Sequence, residues 1–302
     1  MRKARIILGI LCMVTVIGGG IYYQRTKKQI DTESPVLRAE TDEITVSIQD
    51  SEQELLSNLS AVDNKDGDVS DSILIESIEK NEDGAPNEFL ITYAAFDKAN
   101  NSASLTRTLY YSDYEQPHFI LKQPLRFPEN QQLSLLNYFQ AEDCLDGDIS
   151  PFITLEGSAD ILKDTPQKGF YEIKLSVTNS VGDTAELPIQ VEIYEDSYEE
   201  QTMRPTIVLN QYITYLKQGQ ELDTNIYLDH IQDKGVRPID FEAVDKEDED
   251  ELQGASAYVN IADIHVESNV DSSIPGIYSV VYSYTSQETG YDCNTTLVVV
   301  VE

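Results

Sequence analysis

The chain has 302 residues, with 54 acidic against 21 basic side chains, a formal net charge of −33 and no tryptophan. A field of that sign repels nucleic acid and anionic lipid and attracts cations or basic partners. Its three cysteines, Cys12, Cys144 and Cys293, are too few and too scattered for a disulfide framework.

The basic residues Arg2, Lys3, Arg5, Arg25, Lys27 and Lys28 all precede the first acidic one. Between them lies an uncharged stretch, residues 6–23, which as a helix would reach about 27 Å, enough for the hydrocarbon layer. It is expected to be a transmembrane signal anchor, with residues 1–5 cytoplasmic and 24–34 a polar stalk. No Ala-x-Ala cleavage motif follows it. A cleaved signal peptide and a secreted product are the alternative.

An internal repeat organises the rest. Asp31-Thr-Glu-Ser-Pro35 is echoed by Asp113-Tyr-Glu-Gln-Pro117, and more loosely by the stretch from Asp196 to Pro205. Modules are expected at 35–111, 117–194 and 205–302. Each carries an acidic loop: Ala61-Val-Asp-Asn-Lys-Asp-Gly-Asp-Val-Ser70, Ala141-Glu-Asp-Cys-Leu-Asp-Gly-Asp-Ile-Ser150 and a worn copy, Ala243 to Leu252, in which Glu249 replaces the glycine. Glycine there supplies the positive φ of a sharp turn. Asp63, Asp66 and Asp68, like Asp143, Asp146 and Asp148, offer three carboxylates within six residues. These are candidate calcium ligands, since calcium takes six to eight oxygens. Plain turns closed by aspartate–backbone bonds are the other reading.

Strand patterning is clearest in the second module. Tyr171, Ile173, Leu175 and Val177 alternate with polar residues, as do Leu187, Ile189, Val191 and Ile193, across a turn at Asn179-Ser-Val-Gly-Asp183. Asp97-Lys-Ala-Asn-Asn101 is its counterpart in the first module. Short strands, turns and no long helical pattern predict an all-β fold of sandwich modules. Arg107 falls where Ile189 falls in the second module, and is expected near an edge with its charge reaching solvent.

The third module departs from the pattern, with 40 positions from Pro205 to Asp245 against 26 from Pro117 to Asp143. An insertion is expected at about 232–241. The last strand, Leu297 to Val301, is apolar on both faces, so its outer face is covered either by that insertion or by a partner.

An acidic Asp-x-x-Asp-Gly-Asp loop, a Gly-x-Tyr strand entry (Gly169-Phe-Tyr171, Gly276-Ile-Tyr278), a turn, and a final strand ending before Asp-x-x-x-Pro resemble the bacterial Ig-like domain. This is the type found in pesticidal crystal proteins and Gram-positive surface proteins, similar to hyalin repeats. Asn87-Glu-Phe89 departs from the strand entry. The resemblance implies three tandem Ig-like β-sandwich modules behind one transmembrane helix. It also implies that the acidic loop meets the turn at Asn179 and Asp183, near the incoming Asp113 and Glu115. Similarity to the acidic linkers of cadherins then implies calcium stiffening that joint, with the third joint weaker.

Catalysis has little support. His118, His230 and His265 are scattered, and neither a His-Glu-x-x-His motif nor a Gly-x-Ser-x-Gly elbow is present. The sequence therefore reads as a non-catalytic, membrane-held cell-surface protein with a protein or glycan ligand and no nucleic-acid partner. A carbohydrate-binding or enzyme-accessory array is the alternative.

Overall fold

A computed structural model of the chain describes residues 15–21, 31–162, 166–242 and 258–302. Residues 15–21 are helical and exposed; the rest of the expected anchor lies outside the described residues. Among the described residues no helix is long and apolar enough to cross a membrane. The remainder is all-β: six sheets of three or four strands, joined by short helical turns. They fall into two compact units, one ending at Tyr114 and the other running from Glu115 to Glu302.

The first unit holds two sheets. Val36–Ala39, Leu59–Asp63 and Gly67–Asp68 form one; Glu43–Val46, Ser102–Tyr111, Glu88–Phe96 and Leu74–Lys80 form the other. The long hairpin 88–111 is its backbone, with Phe89, Ile91, Tyr93 and Leu109 fully buried. Tyr93 keeps its hydroxyl satisfied by donating to Leu55 O at 2.7 Å, which pins the short helix Glu52–Leu55 over the core.

The second unit repeats this plan twice. Residues 118–194 place His118–Leu121 and Gly147–Asp148 on either side of Phe139–Asp143. Their second sheet orders Thr154–Gly157, Gly169–Thr178, Thr184–Tyr194 and Arg126–Pro128. The expected alternation holds: Ile173, Leu175, Val177, Leu187, Val191 and Ile193 are buried, while Tyr171 and Ile189 are half-buried. Residues 206–301 pair Thr206–Leu209 with Leu228–Gln232, and set the hairpin of Gly276–Thr285 and Asp292–Val301 at the centre of the other sheet.

Three expectations are corrected. The segment 232–241 holds a paired strand and the structural counterpart of the acidic-loop aspartate. The third module's extra length follows Asp233, with 264 − 233 = 31 positions to the next strand of the hairpin sheet against 74 − 63 = 11 in the first module. Val236–Asp240 pairs antiparallel with Leu228–Gln232 across a turn in which Asp233 N donates to Gly235 O at 2.9 Å. The register makes Asp233 the counterpart of Asp63 and Asp143: Val36 faces Val62, His118 faces Glu142 and Thr206 faces Gln232, each one residue before the aspartate. The distance from the leading proline agrees, 233 − 205 = 28 against 63 − 35 = 28. The expected third loop at 243–252 lies outside the described residues.

The last strand is covered by neither expected element. Leu297, Val299 and Val301 point into the third module's core. Val298, on the opposite face, shares a crevice with Leu121, Pro124 and Ile189 of the preceding module.

Arg107 is not at an edge. It lies on the strand between Glu43–Val46 and Glu88–Phe96 and is only 3% exposed. Its guanidinium donates to Thr41 Oγ1 at 2.7 Å, Glu43 O at 3.0 Å and Ser57 O at 3.3 Å, while Nε has no partner among the described residues. The arginine ties the entry of one strand and the loop before another to the sheet centre, a task that Ile189 cannot perform. Arg107→Ala should destabilise the first unit by about 3 kcal/mol, because three acceptors lose a charged donor. Arg107→Ile, which refills the space, should cost less. Urea unfolding followed by circular dichroism reads both, and equal midpoints for wild type and Arg107→Ala would refute the role.

Candidate acidic-loop site

Each module has a buried aspartate at the end of the strand that pairs with its first strand: Asp63, Asp143 and Asp233 are 4%, 6% and 2% exposed. In the first two modules the local chain folds around that carboxylate in the same way. Asp63 Oδ1 accepts from Lys65 N at 2.7 Å and Asp66 N at 2.8 Å; Asp143 Oδ1 accepts from Leu145 N at 2.9 Å and Asp146 N at 3.0 Å. Gly67 and Gly147 then turn the chain at φ +76° and +70°, where a side chain would be strained. Asp68 and Asp148 accept from the hydroxyl of Ser70 and Ser150 at 2.6 Å and from their N–H groups at 3.0 Å. Each serine N–H and hydroxyl thus fixes the start of the next turn.

The two loops differ in how the remaining oxygens are used. In the first unit, Asp31, Asp63, Asp66 and Asp97 converge, and one carboxylate oxygen from each lies within 4.8 Å of all the others. Asp31 belongs to the segment expected to be stalk, yet its side chain is 7% exposed, with Lys65 Nζ at 3.1 Å from Oδ1. Asp97 comes from the turn after the strand Glu88–Phe96, held by Asn101 N at 2.7 Å and Asn101 Nδ2 at 2.6 Å. Lys98 N donates to Asp66 at 2.9 Å. The Oδ2 atoms of Asp31 and Asp63 are buried with no hydrogen-bond partner among the described residues.

In the second module Asn179 stands where Asp97 does. Its Nδ2 donates to Asp143 Oδ2 at 3.0 Å, and its Oδ1 accepts from Asp183 N at 2.8 Å. Asp146 accepts from Ser180 N at 2.6 Å and Ser180 Oγ at 2.7 Å. The expected meeting of acidic loop and hairpin turn is therefore present, and it is closed by amide and hydroxyl donors. Asp113, expected beside this loop, instead accepts from Ser47 Oγ at 2.6 Å and Ile48 N at 2.9 Å of the first unit. Glu115 meets the loop through its main chain: its carbonyl accepts from Cys144 Sγ at 2.9 Å. In the third module Asp233 has Tyr284 Oη at 3.5 Å, and Ser286 takes the place of Asp97.

Of the six expected ligands, the first module's group therefore includes Asp63 and Asp66 and omits Asp68. Asp143, Asp146 and Asp148 are engaged by protein donors. Asp31 and Asp97 are additions, and the recurrence of Asp31 at Asp113 and of Asp97 at Asn179 is the signal that could have marked them.

The hydrogen bonds have an electrostatic consequence. The Ser70 hydroxyl and then its N–H hold Asp68 below the ordinary 3.8, and Ser150 does the same for Asp148. Asp63 is lowered first by Asp66 N–H and then by Lys65 N–H. A lowered folded-state pKa gives stability that is complete above 3.8 and is lost as pH falls through the folded value. The unfolding midpoint should therefore be flat down to about pH 4 and fall below it. The Asp68→Asn, Asp148→Asn double variant should show a shallower acid limb in the same titration; an unchanged limb would count against these bonds.

No family model matches the chain, and no curated protein does. Among solved structures, the M60 catalytic domain with its two CBM51 domains from Clostridium perfringens ZmpB is similar at 10% identity and a TM-score of 0.22, over 89% of this chain and 31% of that one. Drosophila N-cadherin EC1-3 is similar at 12% identity and a TM-score of 0.31, over 87% and 98%. Human CDH23 EC21-23 is similar at 11% identity and a TM-score of 0.21, over 89% and 100%. The chain thus spans under a third of the Clostridium protein. At scores this low the fold rests on the sheet registers themselves.

Proposed function

We propose that the chain is a non-catalytic bacterial surface protein, held to the membrane by residues 6–23, whose Ig-like modules present a binding face to a cell-surface protein or glycan. The observation that carries this reading is the joint inside the second unit. Tyr212 N donates to Leu121 O at 2.8 Å, and Tyr215 Oη accepts from Phe119 N at 2.7 Å. The His118 ring stacks on Tyr215 with centroids 3.9 Å apart and planes 20° apart, and Nε2 meets Glu302 at 3.1 Å. On the connecting segment, Glu200 pairs with Arg126 of one module and with Arg204, whose Nε donates to Asp292 O of the next. Burial pushes the Tyr215 hydroxyl up to about 12, so it stays protonated at every physiological pH.

Main-chain bonds across such a joint suit a rigid arm that sets distance and orientation. The joint also walls an open groove of about 350 Å³, lined by His118, Lys122, Glu142, Cys144 and Tyr215, whose mixed charge and aromatic edge fit a polar ligand. The acidic field, net −33, disfavours nucleic acid there. The bacterial Ig-like resemblance agrees with a surface role, although such sandwiches host many roles.

A glycan array and a pull-down from cell-envelope fractions with the full chain test the reading. Binding in either, without turnover of the bound molecule, supports it; turnover by the chain alone overturns it. Fractionation should leave intact chain in the membrane pellet, and mature protein in the medium starting near Ile21 would replace the anchor with a secreted form. For the joint, residues 115–302 should unfold in one transition. Tyr215→Phe leaves Phe119 N–H without its acceptor and should cost about 1–3 kcal/mol; no change in midpoint would mean that the joint is not held there.

A further inference from the structure

We infer that the first module carries one calcium site built from Asp31, Asp63, Asp66 and Asp97, and that the matching loop of the second module does not. Four carboxylates converging is by itself only an acidic cluster. What points to a ligand is that two of them, Asp31 and Asp63, are more than nine-tenths buried and each leaves Oδ2 without a partner among the described residues. A buried anionic oxygen with no donor is costly to fold, so a native loop normally satisfies it.

The second module is the internal control. It has the same turn, the same glycine and the same Oδ1 bonds, yet the oxygen that is unpartnered on Asp63 is bonded on Asp143, by the Asn179 amide at 3.0 Å. Asn179 takes the position of Asp97. One module therefore places an N–H donor against the buried carboxylate, and the other places a further carboxylate there. The second choice is stabilising only if something positive lies between them. Lys65 and Lys98 reach the rim, at 3.1 Å from Asp31 and 3.6 Å from Asp66. Two ammonium groups against four carboxylates leave a charge of 2 − 4 = −2, which one divalent cation neutralises.

The donor set selects the cation. All four ligands are hard oxygens, with no thiol or imidazole in the group, which disfavours zinc. Calcium–oxygen distances of about 2.3–2.6 Å place opposite ligands about 4.6–5.2 Å apart. The four ligand oxygens lie within 4.8 Å of one another, close enough for one such ion to reach all of them. Magnesium, at about 2.0–2.1 Å, keeps several waters and rarely uses an all-protein carboxylate cage. The ion would tie the chain entering the module at Asp31 to both loops at its end. The inference is independent of which surface ligand the array binds.

Calcium titration into the full chain by calorimetry tests it, at about 0.15 M salt so that the diffuse acidic surface is screened. Expected is one saturable site with a dissociation constant of about 10⁻⁴–10⁻³ M, and magnesium at least tenfold weaker. Asp97→Asn, which copies the second module's solution, should weaken calcium at least tenfold. Its calcium-free melting temperature should be no lower than that of wild type, since one repelling carboxylate is gone, and that also shows that the variant folds. Asp66→Asn should weaken binding likewise, whereas Asp68→Asn and Asp143→Asn should leave it within twofold. The site is overturned by any of three results: no saturable binding by wild type, equal stabilisation of wild type and Asp97→Asn by calcium, or loss of binding in Asp143→Asn. Magnesium binding as tight as calcium overturns the choice of ion.

Discussion

A buried carboxylate in each module, at the end of the strand that pairs with the module's first strand, sets the arrangement at that end of each sandwich. A carboxylate removed from water needs donors, and the shortest way to provide them is to turn the following chain back so that its N–H groups face the oxygen. In the first two modules Oδ1 accepts two such groups, and the turn glycine, the second aspartate and the serine follow from the geometry that results. Oδ2 faces the hairpin turn of the other sheet. Whatever satisfies it therefore links the two sheets of one module. The second module supplies an amide (Asn179) and the third a tyrosine hydroxyl at the edge of bonding distance (Tyr284), whereas the first places a further carboxylate (Asp97) there and leaves Asp63 Oδ2 without a donor among the described residues.

The all-β class and the strand alternation were legible because period-2 patterning in 169–194 follows directly from burying one face of a sheet. Glycine at a positive φ in the acidic loop was legible for an equally local reason. The third loop was not. Charge identity pointed to Asp245, whereas the register points to Asp233, where the loop is shortened, one aspartate remains, and Lys234 and Gly235 make the turn. An acidic run can be shed or gained on a surface without cost, but the buried aspartate at the strand end cannot move without disturbing the ladder. The same distinction explains Asp68, which looks like a ligand by spacing and in fact closes the loop by binding Ser70.

Arg107 and the last strand failed for a different reason: both depend on what lies opposite, which one strand's pattern does not record. Arg107 sits in a core position because three acceptors on two neighbouring segments converge on it. Val298 is half-buried and lines a crevice shared with the preceding module. His118, far in sequence from the other histidines, is held by the third module's Tyr215 and Glu302 through stacking and hydrogen bonding. In each case the missing information was long-range, and only a partner residue far along the chain supplies it.

These long-range ties also account for how so acidic a chain spends its few arginines. Five follow residue 28: Arg38, Arg107, Arg126, Arg204 and Arg237. Four of them are buried or mostly buried and serve as cross-links: Arg107 between strands, Arg126 and Arg204 on Glu200 at the module connection, and Arg237 on Glu288 between the third module's turns. A planar guanidinium with several fixed donors suits such positions better than lysine does. Arginines committed to internal bonds leave mainly lysines, such as Lys98 and Lys217, to offset the acidic surface. Where two or more carboxylates must nonetheless meet, as at the first module's entrance, the chain has little spare positive charge of its own to place between them.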